Sequence, residues 1–343
     1  MQYISTRGQA PKIGFCDVLL AGLARDGGLY VPETWPKLGE SAVGASAASA
    51  KNSAAASYAQ KAASIMSTFV GAEIDQQIFE KLCVDAYSTF RHPGVAPLVE
   101  IGPNEYLLEL FHGPTLAFKD VALQLVGKLF DHVLMQRGQR VMIVGATSGD
   151  TGGAAFDGVA SCRNVDIVML YPNNRVSDVQ RRQMTTVEAP NVHTVSIDGT
   201  FDDCQRLVKQ AFLDEELRSA FDLASANSIN ISRLIPQSFY YFAAYAQAKK
   251  KGFNAPVVFS VPSGNFGNLS AGLMAYRMGL PVKAFVASCN ENHPVADYLR
   301  TGEYNPVASV ETLSNAMDVG SPSNFIRMRL LAGDEWSKVR EII

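Results

Sequence analysis

From about residue 98 onward, short apolar runs rich in β-branched residues alternate with stretches whose apolar positions recur every three or four residues. "YLLELF" (106–111), "VMIVGA" (141–146), "VDIVMLYP" (165–172), "VHTVSI" (192–197), "VVFSVP" (257–262) and "VKAFVAS" (282–288) read as strands. Helical periodicity falls at 115–131, 152–161, 176–187, 202–213, 230–251, 266–279 and 294–300. Several strands are apolar almost throughout, as in a sheet covered on both faces, and the alternation predicts parallel α/β sheets. Residues 1–97 read as mixed turns and helices, with a turn at Asp26-Gly27-Gly28. Residues 41–64 are biased to alanine and serine and read as a surface helix or loop.

One position breaks the pattern. A helix beginning near Pro114 places Leu116, Lys119, Leu123, Val126 and Phe130 on a single face. That face is otherwise apolar, so Lys119 would point inward. Burial disfavours an ammonium ion and lowers its pKa, and a neutral amine is a nucleophile toward aldehydes. The ordinary alternatives are a lysine that snorkels out to water, or one paired with Asp120 or Glu109.

Composition narrows the field. The 343 residues suffice for roughly two domains, and 47% hydrophobic with 18% charged residues describes a globular chain. A formal net charge of −3 without a basic block argues against a nucleic-acid surface. No apolar run approaches the ~20 residues of a membrane span, and "MQYISTRGQAPKIGF" lacks the core of a secretion signal. The five cysteines form no C-x-x-C pair, which suggests reduced thiols and a cytoplasmic setting, and the histidines have no metal-ligand spacing.

Two glycine-rich loops each follow a strand and open a helix. Thr147, Ser148, Gly149, Asp150, Thr151 and Gly152 combine hydroxyls with N–H groups at a helix N-terminus and suit a small anion such as a carboxylate. Ser263, Gly264, Asn265, Phe266, Gly267 and Asn268 suit a phosphate. Either loop can also be a plain strand–helix turn. Neither carries the P-loop Gly-Lys-Ser/Thr or G-x-G-x-x-G, so nucleotide readings recede. One inward lysine with a carboxylate-type and a phosphate-type loop describes a site for pyridoxal phosphate (PLP) and an amino acid.

"LFHGPTLAFKD", "GATSGDTGGAA" and "VPSGNFGN" resemble the threonine synthase family, in the branch found in bacteria and fungi. So do "YISTRG", "GLARDGGLYVPE", "NSINISRLIPQ" and "NAMDVGSPSNF", in the family's order over nearly the whole chain. The resemblance implies the tryptophan-synthase-β-like PLP fold: two parallel-sheet α/β lobes plus a mixed N-terminal region. It implies conversion of O-phospho-L-homoserine and water to L-threonine and phosphate, by γ-elimination and β-addition of water. Lys119 matches the Schiff-base lysine, 264–268 the loop that holds the cofactor phosphate, and 147–152 the loop that binds the substrate α-carboxylate. The substrate's own phosphate needs a cationic or amide site. Arg233, Asn230, Ser228, Asn324 and Arg327 are candidates, each with the ordinary reading of a cap or surface charge. His112 either touches the cofactor or holds the Gly113-Pro114 turn.

The expected domains are an N-terminal region (1–97), a large PLP-binding lobe (98–125 and 225–343) and a small mobile lobe (126–224). Family members extend further at the C-terminus, and "DEWSKVREII" carries no C-cap signal, so a shortened chain is expected. The expected partners are a small-molecule substrate without nucleic acid or membrane, the chain being a monomer or weak homo-oligomer. The alternatives are another PLP enzyme of this fold, a threonine dehydratase or cysteine synthase, or an inactive threonine-synthase-like fragment.

Overall fold

A computed structural model describes residues 1–38, 57–147 and 149–343. Ser148 and most of the alanine- and serine-rich segment lie outside the described residues. At the N-terminus, β1 (Tyr3–Ser5), α1 (Phe15–Ala21), β2 (Tyr30–Pro32), α2 (Tyr58–Val70) and α3 (Gln76–Tyr87) form a helical layer with one antiparallel strand pair. That pair was not expected: three-residue strands are too short for an alternating pattern to register. An antiparallel hairpin follows, β3 (Leu98–Gly102) and β4 (Glu105–Leu108). The expected strand over 106–111 is therefore shorter, and its partner went unread.

The middle of the chain winds as strand–helix units. In order come α4 (Asp120–Arg137), β5 (Val141–Ala146), α5 (Asp150–Val159), β6 (Val165–Pro172), α6 (Asp178–Thr185), β7 (Val192–Ile197), α7 (Phe201–Leu213), α8 (Glu215–Ala220) and β8 (Leu223–Ala224). The strands pair in parallel in the order β7-β6-β5-β8, with Ile143 beside Ile167 and Ile167 beside Val192. Then α9 (Leu234–Lys250), β9 (Val257–Pro262), α10 (Gly267–Arg277) and β10 (Val282–Ser288) build a second α/β unit, in which β9 and β10 are parallel. Helices α11 (Pro294–Thr301), α12 (Phe325–Ala332) and α13 (Trp336–Ile342) close the chain. No helix among the described residues is long and apolar enough to cross a membrane.

The core runs through α4 and α9, which bury side chains on nearly every face. Gln124 of α4 donates to Asp157 of α5, and the Cys162 thiol donates to the Gly127 carbonyl at 3.3 Å. These contacts lock α4 against α5, so the N-terminal ends of the two helices open toward the same place.

Helix α4 begins at Asp120, not near Pro114 as the periodicity predicts. The Asp120 carboxylate captures the Thr115 N–H at 2.8 Å and its hydroxyl at 2.6 Å, folding 115–119 into turns. Leu116 takes a left-handed φ of 65° and is 52% exposed, so it does not belong to the apolar face. Lys119 becomes the residue that caps the helix start. Its side chain still points inward, with 14% of its surface accessible.

Candidate active site

Lys119 Nζ lies 3.6 Å from Asp150 Oδ2. The alternative partners are engaged elsewhere: Asp120 holds Thr115, and Glu109 Oε2 holds His112 Nε2 at 2.8 Å. Burial pushes the Lys119 amine below the usual lysine range. Asp150 pulls it back up, and the Arg233 guanidinium lowers it again. The result is a positioned amine with a weakened hold on its third proton. His112 binds Glu109 and sits 5.1 Å from the His92 ring, so it organises the turn ahead of the lysine.

Asp150 opens α5, the helix of the first loop. The Thr147 hydroxyl oxygen is buried and accepts the N–H groups of Gly149 (2.9 Å) and Gly152 (3.0 Å). Thr147 therefore shapes the loop from within, and those two amides are taken. The N–H groups of Asp150 and Thr151 have no acceptor among the described residues, leaving a donor pair at a helix N-terminus. Gly149 has φ 137° and ψ −81°, outside the range of L side chains, and a Cβ there would meet Gln180 Oε1 at 2.3 Å.

Gln180 is a residue that sequence reasoning missed. Its amide nitrogen donates to Asp150 Oδ1, and its oxygen accepts the Ser177 N–H in the capping box of α6. Asn315 Nδ2 approaches the same oxygen at 3.5 Å. The S-x-x-Q signature was visible as a cap. The reach to Asp150, thirty residues away, was not.

The second loop lies at the carboxyl end of β9. Ser263 donates its N–H to Ser288 of β10 (2.8 Å) and its hydroxyl to Val261 O, so it ties the loop to the sheet. Phe266 is left-handed (φ 58°) and buried, and α10 starts immediately after it. The N–H groups of Gly264, Asn265, Gly267 and Asn268 have no acceptor among the described residues. A run of orphan amides around a left-handed residue is an anion cradle. Asn265 Nδ2 donates to Ser228 Oγ (3.1 Å), and Asn265 Oδ1 accepts the Ser323 N–H.

The candidates for a substrate-phosphate site separate. Asn230 donates to Leu19 O (2.8 Å) and Ser225 O (3.1 Å), and its oxygen accepts the N–H and hydroxyl of Ser232. Every polar position of that amide is occupied internally, so the expected ligand role is corrected to a structural one. Asn324 donates to Ser228 Oγ and Asn265 O and accepts from Arg327, so it props the second loop from behind instead of facing a ligand. Arg327 gives its four terminal N–H bonds to Tyr30 O, Ile229 O, Ser228 O and Asn324 Oδ1, and is likewise structural. Ser228 Oγ accepts from both Asn265 and Asn324.

Arg233 shares with Arg327 a buried Nε without a partner among the described residues, but makes a single side-chain hydrogen bond where Arg327 makes four. It is buried, its Nη1 donates to Ala226 O at 2.5 Å, and its Nε has no partner among the described residues. Burial pushes its guanidinium down to about 10, with Asp120 opposing, so it remains a cation at neutral pH. It ends the short turn Ile231–Arg233 that packs against α4. Arg233 is therefore a buried cation with an orphaned donor, near enough to Lys119 to lower its pKa.

PLP fits these residues. A lysine amine held below its usual pKa can condense with its aldehyde, and the orphan amides over 264–268 can take its phosphate.

Two family models cover most of the chain. One described as threonine synthase N terminus matches residues 2–87, and one described as pyridoxal-phosphate dependent enzyme matches residues 90–338. The chain is 46% identical to threonine synthase of Pseudomonas aeruginosa, over all of this chain and 71% of that protein. It is 42% identical to threonine synthase of Schizosaccharomyces pombe, over 95% of this chain and 66% of that one. The crystal structure of PLP-bound threonine synthase from Brucella melitensis superposes with a TM-score of 0.90 at 48% identity, covering 99% of this chain and 72% of that one. Threonine synthase from Escherichia coli superposes with a TM-score of 0.88 at 40% identity, covering all of this chain and 76% of its own.

Proposed function

This chain belongs to the threonine synthase family of PLP-dependent enzymes, and from that premise we propose that its buried lysine and two amide-lined loops convert O-phospho-L-homoserine and water to L-threonine and phosphate. The observation that carries the reading is the Lys119 amine, held below its usual pKa and 3.6 Å from the Asp150 carboxylate that opens the first loop, in a chain whose second loop also presents orphan N–H groups. When bound through Lys119 Nζ, PLP supplies an electron sink for the charge left at the substrate's α-carbon.

The chain supplies the rest. The cradle over 264–268 anchors the cofactor phosphate, and Ser263 fixes that loop to the sheet. The amides of Asp150 and Thr151 orient the substrate's α-carboxylate, with Thr147, Ser148, Gly149 and Gly152 as the frame of that loop. Lys119 Nζ takes the α-proton and then a β-proton. A positioned amine contributes typically 10²–10⁴-fold as general base. Arg233 is the cation for the phosphate that leaves the γ-carbon; a proton then returns to the γ-carbon to make the methyl, water adds its oxygen at the β-carbon, and the α-carbon regains its proton. The net change adds one water, releases one phosphate and balances without an oxidant.

With this reading go two lobes, 126–224 closing on 98–125 and 225–343, a cytoplasmic setting, and a chain that acts as a monomer or weak homo-oligomer without nucleic acid or membrane. The test is borohydride reduction of the purified protein followed by peptide mass mapping, beside an assay of phosphate release from O-phospho-L-homoserine. The expected label is at Lys119, and Lys119→Ala loses both the visible band and turnover. Ammonia release from threonine that outpaces phosphate release would replace this reading with a dehydratase.

A further inference from the structure

Two tyrosine hydroxyls from one helix converge on a single side-chain oxygen in the second loop. Tyr240 and Tyr241 are consecutive on α9 and almost wholly buried. Both hydroxyls donate to Oδ1 of Asn268, Tyr241 at 2.7 Å. These are the shortest contacts either phenol makes: Tyr240 is 3.3 Å from Gln237 Oε1, and Tyr241 is 3.0 Å from the Asn268 carbonyl. Such separations belong to O–H···O bonds, shorter than N–H···O bonds, and so place the amide oxygen on the tyrosine side. The opposite end of the planar amide, Nδ2, has no acceptor among the described residues.

The surroundings hold this arrangement in place. Asn268 and Gly272 lie four residues apart and share a face of α10. A Cβ at Gly272 would sit 2.8 Å from Tyr241 Cζ and 2.6 Å from Phe285, so only glycine lets the Tyr241 ring lie flush against α10. Edge contacts with Phe259 (4.9 Å) and Phe285 (6.0 Å) fix that ring. These buried aromatic residues of α9 therefore carry polar hydrogen bonds at their tips.

We propose that Tyr240 and Tyr241 are positioning residues for the cofactor phosphate: they pin the Asn268 amide so that Nδ2 joins the orphan backbone amides of Gly264, Asn265 and Gly267 as a donor to that phosphate. The proposal deepens the reading of the second loop given above and rests on it. Fixing the amide beforehand removes the freedom it would otherwise lose on binding, which favours the phosphate ester over a ligand without one.

Holoenzyme of the wild type, Tyr240→Phe, Tyr241→Phe, the double variant, Asn268→Ala and the double variant combined with Asn268→Ala is stripped of cofactor and titrated with PLP and with pyridoxal, which lacks the phosphate. The ³¹P resonance of each reloaded holoenzyme and its thermal midpoint are recorded alongside. The expected result is a roughly tenfold weaker PLP affinity in the double variant. Pyridoxal affinity is unchanged, the ³¹P resonance shifts, and the tyrosine substitutions add nothing in the Asn268→Ala background. Equal losses for PLP and pyridoxal, or a lowered thermal midpoint with an unchanged PLP-to-pyridoxal ratio, would reduce the tyrosines to packing and overturn the proposal. A ratio that falls in Asn268→Ala but not in the tyrosine variants overturns the proposal alone. A ratio unmoved in Asn268→Ala removes the phosphate from this side chain and overturns the proposal with the backbone cradle still standing, whereas a wild type that binds PLP no more tightly than pyridoxal overturns the loop reading itself.

Discussion

Burial and two charged groups set the charge of Lys119, and they pull in two directions. Burial lowers its pKa, Asp150 raises it, and Arg233 lowers it, leaving it below the usual lysine value of 10.5. In the cofactor-free protein the unfolded chain then binds more protons than the folded one between the depressed folded pKa and 10.5. Stability accordingly rises with pH across that window and is lower below it. Asp150→Asn deletes the one group that raises the amine. The pH midpoint for borohydride-trapped PLP incorporation at Lys119 should therefore move down in that variant, and an upward move would contradict the electrostatic account. Asn230 offers the complementary test, of a residue whose polarity serves the fold. Asn230→Ala orphans two buried carbonyls and a buried Ser232 N–H. The expected loss is roughly 3 kcal/mol of unfolding free energy in urea titration, with KM for the phosphorylated substrate unchanged in the molecules that remain folded.

The elements divide into those the pattern could show and those it could not. The runs at 141–146, 165–172, 192–197, 257–262 and 282–288 are strands with those bounds, because each is a short run rich in apolar residues and four of the five begin directly after a proline or an asparagine. The start of α4 was misread because three- and four-residue spacing does not distinguish a helical turn from a loop, and the Asp120–Thr115 capture that decides it is a side-chain event. That two glycine-rich loops each end a strand and open a helix was legible from their glycines, and the inward Lys119 from its apolar company. The groups that orient them were not: Gln180 reaches Asp150, and Tyr240 and Tyr241 reach Asn268, from 27 to 30 residues away. Gly149 joins the first loop to α6. With φ 137° and Gln180 against it, Gly149→Ala combines strain of about 1–3 kcal/mol with displacement of the glutamine that orients Asp150. The visible cofactor band should persist, while KM for O-phospho-L-homoserine rises at least tenfold. An unchanged KM would mean that this loop does not hold the substrate carboxylate.

At the scale of the whole molecule, the N-terminal layer and the cofactor-side loop are stitched to the same short segment. Arg327 reaches Tyr30 O in β2 at 3.0 Å, and also Ile229 O, Ser228 O and Asn324 Oδ1. Asn324 in turn holds Asn265 O and Ser228 Oγ beside the second loop, while Asn230 grips Leu19 O in α1. Residues 228–233 therefore connect the first thirty residues, the cofactor cradle and Arg233. Burial pushes the Arg327 guanidinium down to about 9, so at neutral pH it is a buried cation whose four terminal N–H bonds go to neutral oxygens, its Nε being unpartnered and no carboxylate pairing with it among the described residues. Arg327→Met keeps the apolar volume but orphans those oxygens, at a loss on the order of 3 kcal/mol. If one stitch serves both regions, amide hydrogen exchange should quicken together around Tyr30 and across 264–268, and PLP should leave the holoenzyme faster. Quickening confined to the N-terminal layer, with cofactor release unchanged, would mean that the layer merely rests on the catalytic unit and that the cradle holds its shape without it.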